Sequence, residues 1–248
     1  GDMKRRLEAL LAWADSGATA PPFPQIAFER PNRVLVVHKP ITQAYVRLAL
    51  PMVKRPHPDY YPLSVLDYIL GGGSFSSRLN TVVRSDAGLS YSIYSRVESN
   101  YTYRGAFRVT FHTKTESVVD ATRLVLAEMR RIRADGVTEE EVAKAKDALV
   151  DALPSMFRSK TDLVDHYSWN EYYGRSDEHF REYAGKIRAI GVEQVVAMAR
   201  KYLDPDSLTY VVVTDTAGLY ACDTAAEFSL RGLAPFTVVG TDSLAFLP

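Results

Sequence analysis

From residue 117 to 134, Val118, Ala121, Val125, Met129 and Ile132 recur three and four positions apart, which predicts a helix with one buried face. Asp135-Gly136 ends it, and Thr138-x-x-Glu141 is a capping box that starts another helix running to about Phe157. Further helices are predicted over 160–173, 177–189 and 192–203, the last stopped by Pro205. Earlier in the chain, Tyr61, Val65, Leu66, Ile69 and Leu70 mark a helix over 59–70, which Gly71-Gly72-Gly73 stops, and a short helix follows over 76–83. Residues 4–14 give a first short helix with Leu7, Leu10 and Leu11 on one side. Extended runs are predicted at 33–37, 44–50, 90–98, 103–112 and 208–213, with Ser99-Asn100 joining the third and fourth as a hairpin. Strands separated by long helices, with hairpins among them, give an α+β class built on an antiparallel sheet.

Composition narrows the class. The 248 residues are 46% hydrophobic and 24% charged, an ordinary globular balance. Thirty basic residues match thirty acidic ones, which disfavours a dedicated nucleic-acid binder. A single cysteine, Cys222, excludes an internal disulfide and has no neighbouring base to activate it. No apolar run reaches the ~18 residues of a membrane span. The chain opens Gly1-Asp2-Met3, as expected of a piece of a longer protein, so the compartment is left open between cytoplasm and periplasm.

One ordered set of motifs is more specific. Leu70-Gly71-Gly72-Gly73-Ser74-Phe75-Ser76-Ser77-Arg78-Leu79 is followed by Val83-Arg84 and then by Gly88-Leu89-Ser90-Tyr91-Ser92. Lys39 and Gln43 precede this run, and Gly136-Val137-Thr138 with Glu141 follows it. Over residues 25–215 the chain resembles the C-terminal, non-catalytic half of the M16 (pitrilysin/insulinase-like) zinc peptidases. The resemblance implies a LuxS/MPP-like metallohydrolase fold, with long helices packed on one face of an antiparallel sheet.

In that family a catalytic half carries H-x-x-E-H, whose histidines hold zinc while its glutamate acts as general base. None of the five histidines here, His38, His57, His112, His166 and His179, begins that motif. The nearest approach, His179-Phe180-Arg181-Glu182-Tyr183, ends in tyrosine. If the two halves are homologous, Ser64, Asp67 and Tyr68 stand where the ligands and base would be. The expectation is no metal site and no cofactor in this chain, with zinc in a partner half.

The resemblance also implies that the non-catalytic half donates an arginine and a tyrosine seven residues apart, the spacing of Arg84 and Tyr91. Taken alone, Arg84 suits the end of a helix, and Tyr91 suits a strand packed in the sheet. Taken with the motifs, Arg84 holds carbonyls of a bound peptide through its five N–H donors, and Tyr91 donates to the scissile carbonyl oxygen. The glycine run reads as a helix cap needing positive φ. Because it is longer than one cap requires, Gly71, Gly72, Gly73 and Ser74 are candidate peptide contacts. Arg130, Arg131 and Arg133 read as a solvated helix end.

Three regions are expected: a helix and linker from a preceding domain over 1–24, the M16-type domain over 25–215, and its tail over 216–248. The expected function is to bind an extended peptide, partly by strand addition to a sheet edge, and to complete in trans the site of an H-x-x-E-H partner. The expected partners are that catalytic half and a peptide, not nucleic acid or a membrane. The alternatives are a structural subunit of the processing-peptidase core type and a stand-alone peptide-binding module.

Overall fold

A computed structural model describes residues 1–14, 32–176 and 178–240, without the side chains of Met156, His179 and Phe180. The linker expected from Ser16 to Pro24, the side chain of His179 and the end of the tail lie outside the described residues.

Period-two burial builds the strands. In β2 (Gln43–Pro51) Ala44, Val46, Leu48 and Leu50 are buried and Gln43, Tyr45 and Arg47 are exposed. The other strands are β1 (Arg33–His38), β3 (Ser92–Glu98), β4 (Ala106–Lys114), β5 (Thr209–Thr214) and β6 (Phe236–Gly240). They form one sheet in the order β3-β4-β2-β5-β1-β6. β3 and β4 pair as the expected antiparallel hairpin, and β2 is antiparallel to both β4 and β5. The sheet is nonetheless mixed, because β1 runs parallel to both β5 and β6. Parallel neighbours need a long crossover, and the helices between β1 and β5 supply it.

The helices are α1 (Asp2–Leu11), α2 (Tyr60–Asp67), α3 (Val118–Asp135), α4 (Glu139–Asp151), α5 (Lys160–Tyr172), α6 (Glu178–Arg188), α7 (Val192–Tyr202) and α8 (Thr216–Ala225). α3, α5, α6 and α7 start and end close to the pattern-based positions, whereas α4, which starts on the Thr138–Glu141 capping box, ends at Asp151 and gives way to a 3-10 turn over Leu153–Phe157. One core joins the inner face of the sheet to α2, α3, α4 and α7; Phe107, Phe111, Leu48, Leu66 and Met129 are fully buried in it. The opposite face stays exposed at Tyr45, Arg47, Tyr94 and Arg96. The tail expected over 216–248, for which no element was predicted, contributes α8 and the edge strand β6. None of the helices is long and apolar enough to cross a membrane among the described residues.

Candidate functional site

α2 does not stop at the glycines. It widens into a π-helical turn over Tyr68–Gly72, and a second π-helical stretch covers Asn80–Asp86. The glycines are required by close approach rather than by positive φ. A Cβ on Gly71 would lie 2.4 Å from the backbone nitrogen of Ser95, and one on Gly73 would lie 2.7 Å from the Tyr68 carbonyl oxygen. Gly73 has φ −80°, and the positive φ falls instead on Ser74, at 51°.

This backbone forms one wall of an open cavity of about 670 Å³, and β3 forms the facing wall. Arg84, Tyr91, Gly72 and Ser74 all line it. Gly71 is buried behind it against Ser95, and Gly73 is not among the lining residues. Arg84 leaves the second π-helical stretch half-buried, with its guanidinium 4.3 Å from the centre of the Phe75 ring. It makes no ion pair among the described residues, so its N–H groups remain available. Tyr91 precedes β3 and is 89% exposed, so it is not packed in the sheet.

Ser64, Asp67 and Tyr68 line the same cavity. Their chemistry does not fit zinc. The Ser64 hydroxyl donates to the Tyr60 carbonyl at 2.8 Å, and the Asp67 carboxylate accepts from the Ser95 hydroxyl at 2.6 Å. The nearby backbone N–H of Val97 also favours the charged form of that carboxylate. Burial pushes the Asp67 carboxyl above its usual range despite these donors and the Arg96 charge. Among the described residues no three His, Cys, Asp or Glu side chains are grouped to hold a metal.

The same contacts lie along the outer edge of β3. Asn80 donates to the Ile93 carbonyl at 2.8 Å, the Ser95 hydroxyl donates to Asp67, and Gly71 packs on Ser95. On the outer edge of β3 the Ile93 carbonyl is therefore already taken, and Gly71 covers the Ser95 backbone.

Phe75 under Arg84, Asn80 at the strand edge and the Asp67–Ser95 pair were not singled out by sequence. Phe75 and Asn80 lie in or beside the motif run, a signal that was present. Arg78 of that run has a different task. Its Nε and Nη2 donate to the two Glu141 oxygens at 2.6 and 2.8 Å, Nη2 also reaches the Gly136 carbonyl at 3.0 Å, and Nη1 reaches Glu128 at 3.3 Å. Arg78 thus ties the cavity wall to the start of α4, and its hydrogen bonds, with its charge, hold the Glu141 carboxyl below the usual range. The basic helix end is paired: Arg130 with Asp206, Arg131 with Glu128 and Arg133 with Asp204. Cys222 is half-buried and its thiol is pushed up by burial, an inert setting.

A family model described as "Peptidase M16 inactive domain" matches residues 5–149. An uncharacterized zinc protease of Mycobacterium tuberculosis is 32% identical over 174 residues, 69% of this chain and 39% of the relative. The non-peptidase homolog YmxG of Helicobacter pylori is 25% identical over 224 residues, 87% of this chain and 50% of the relative. A solved peptidase M16 inactive domain from Pseudomonas fluorescens superposes with a TM-score of 0.73 at 26% identity, over 85% of this chain and 51% of that one. The chain spans about half or less of the length of each of these proteins. The family model covers more than half of the chain, and the motifs that resemble the family surround one cavity: the chain belongs to the peptidase M16 inactive domain family.

Proposed function

We propose that this chain is the substrate-handling half of an M16-type zinc metallopeptidase, completing in trans the active site of a partner half that bears H-x-x-E-H. The observation that carries this reading is the pairing of Arg84, half-buried and without an ion pair among the described residues, with the 89% exposed Tyr91 in one cavity. The partner half supplies zinc and with it the activation of water. In the assembled enzyme Arg84 holds backbone carbonyls of the bound peptide. The Tyr91 hydroxyl donates a hydrogen bond to the scissile carbonyl oxygen as negative charge gathers there. One such donor contributes about 3 kcal/mol to the transition state, or on the order of a hundredfold in kcat. Gly72 and Ser74 form the floor beside the peptide.

The test is peptide turnover by the assembled enzyme carrying Arg84→Ala or Tyr91→Phe. Turnover should fall on the order of a hundredfold for Tyr91→Phe, with the thermal unfolding of the chain unchanged. Wild-type turnover in both variants would sink the assignment. It would favour the second reading, a structural, non-cleaving subunit, towards which the Helicobacter pylori relative's description as a non-peptidase homolog points.

A further inference from the structure

The open face of the sheet carries an unusual arrangement of charge. Arg96 of β3 lies directly opposite Arg108 of β4. Arg47 of β2 opposes Thr110, so it is the diagonal neighbour of Arg108 on the same face. Tyr94 opposes Thr110 from the other side. Like charges directly opposite one another destabilise a sheet, and Arg96 and Arg108 form such a pair with Arg47 beside them. One acid on it answers them: Glu98, which pairs with Arg108. Arg47 and Arg96 make no ion pair among the described residues. Burial and the charges of Arg47 and Arg96 press the Arg108 guanidinium below its ordinary range. The fold gains nothing visible from this cluster, so its use is sought outside the fold.

Its position suggests that use. Tyr94 and Arg96 also line the cavity that holds Arg84 and Tyr91, so the cluster continues from that cavity onto the open face. Beside the cavity, Asp67 is the other acid whose charge meets Arg96, and it is already engaged by the Ser95 hydroxyl. We propose that Arg47, Arg96 and Arg108 bind an acidic segment of the same peptide that the cavity receives, so that peptides rich in Asp or Glu are preferred. Planar guanidiniums suit this, since each can take a carboxylate through two parallel hydrogen bonds. The inference rests on the peptide-binding reading above.

The test measures fluorescence anisotropy of labelled, unstructured peptides of equal length: one glutamate-rich, one uncharged and one lysine-rich. At low ionic strength the glutamate-rich peptide should bind about tenfold tighter than the uncharged one, and the gap should close at high salt. Arg47→Glu with Arg96→Glu should invert the order of the two charged peptides, whereas Arg47→Lys with Arg96→Lys should keep it. Single Arg47→Gln and Arg96→Gln variants should each remove part of the preference, and they decide the matter if the reversal does not fold. Equal binding of all three peptides overturns the charge preference and leaves peptide binding intact. Failure of every peptide to bind overturns both. A glutamate preference that survives the charge reversal, with weakened association to a catalytic half, overturns it by assigning the cluster to a subunit contact.

Discussion

The α3–α4 layer and the cavity wall from Tyr68 to Tyr91 are built differently. α3 is an 18-residue α-helix with nine buried residues, and α4 starts on a complete capping box. Their positions follow from regular apolar spacing and a satisfied helix end. The cavity wall has two π-helical stretches, a serine at positive φ, and a glycine pressed against a strand. It leaves Phe75 and Tyr91 exposed. Candidate chemistry lies on the irregular region, and the regular one acts as its anchor. Arg78 is the joint between them, and cutting it is the strongest way to break the comparison.

Arg78→Ala should cost about 3 kcal/mol or more in urea unfolding, because it strips the nearly buried Glu128 and the capping Glu141 of their shared cation. The pH dependence has a definite sign. Glu141 is held below its ordinary value, so its contribution is present above that value and is lost as pH falls through the depressed one. The difference between wild type and Arg78→Ala should therefore be largest near neutrality and shrink in acid. A constant difference would mean that Arg78 acts by packing alone.

Gly71→Ala should cost about 1–3 kcal/mol, since the added methyl meets the Ser95 backbone rather than a side chain that can move. Gly185→Ala, in the open on α6, sharpens the contrast: it should stabilise the chain by up to about 1 kcal/mol through helix propensity. Equal thermal shifts for the two variants would show that the cavity wall is no tighter than an exposed helix.

The same contrast decides what was legible in the sequence. β2 and α3 could be read because one period and one buried face define each. The Thr138–Glu141 box could be read because both partners lie within one turn. The parallel placement of β1 could not, since its neighbours β5 and β6 are distant in sequence and alternation carries no direction. β6 and α8 were missed because α8 buries only Leu219 and Asp223, and β6 is a short edge with little buried pattern. At the site, the spacing of Arg84 and Tyr91 was visible, and both line one cavity. Their surroundings were not visible. The stacking on Phe75, the Asn80 bond to Ile93 and the Asp67–Ser95 pair all depend on how β3 meets the widened helix.

On the regular side, Thr138→Ala removes the cap that accepts from the Glu141 N–H and should cost about 1 kcal/mol. That is less than Arg78→Ala, although both touch Glu141. If the two losses are equal in chemical denaturation, the anchor is the cap itself and the link to the cavity wall is incidental.

The smallest effect belongs to Asp67, and there the direction carries the information. Burial raises its carboxyl more than Ser95, Val97 and Arg96 lower it. A raised folded-state value means that its contribution is fully present below the ordinary carboxylate value and is lost as pH rises through the raised one. Asp67→Asn keeps an acceptor for the Ser95 hydroxyl but cannot ionise. The melting temperature of Asp67→Asn relative to wild type should therefore climb as pH rises from acid, then level off once wild-type Asp67 is charged. A relative melting temperature that falls over the same range would mean that the hydrogen bonds outweigh burial. Asp67 would then be a stabilised carboxylate in the cavity wall, and the edge of β3 would be held by charge rather than by a neutral contact.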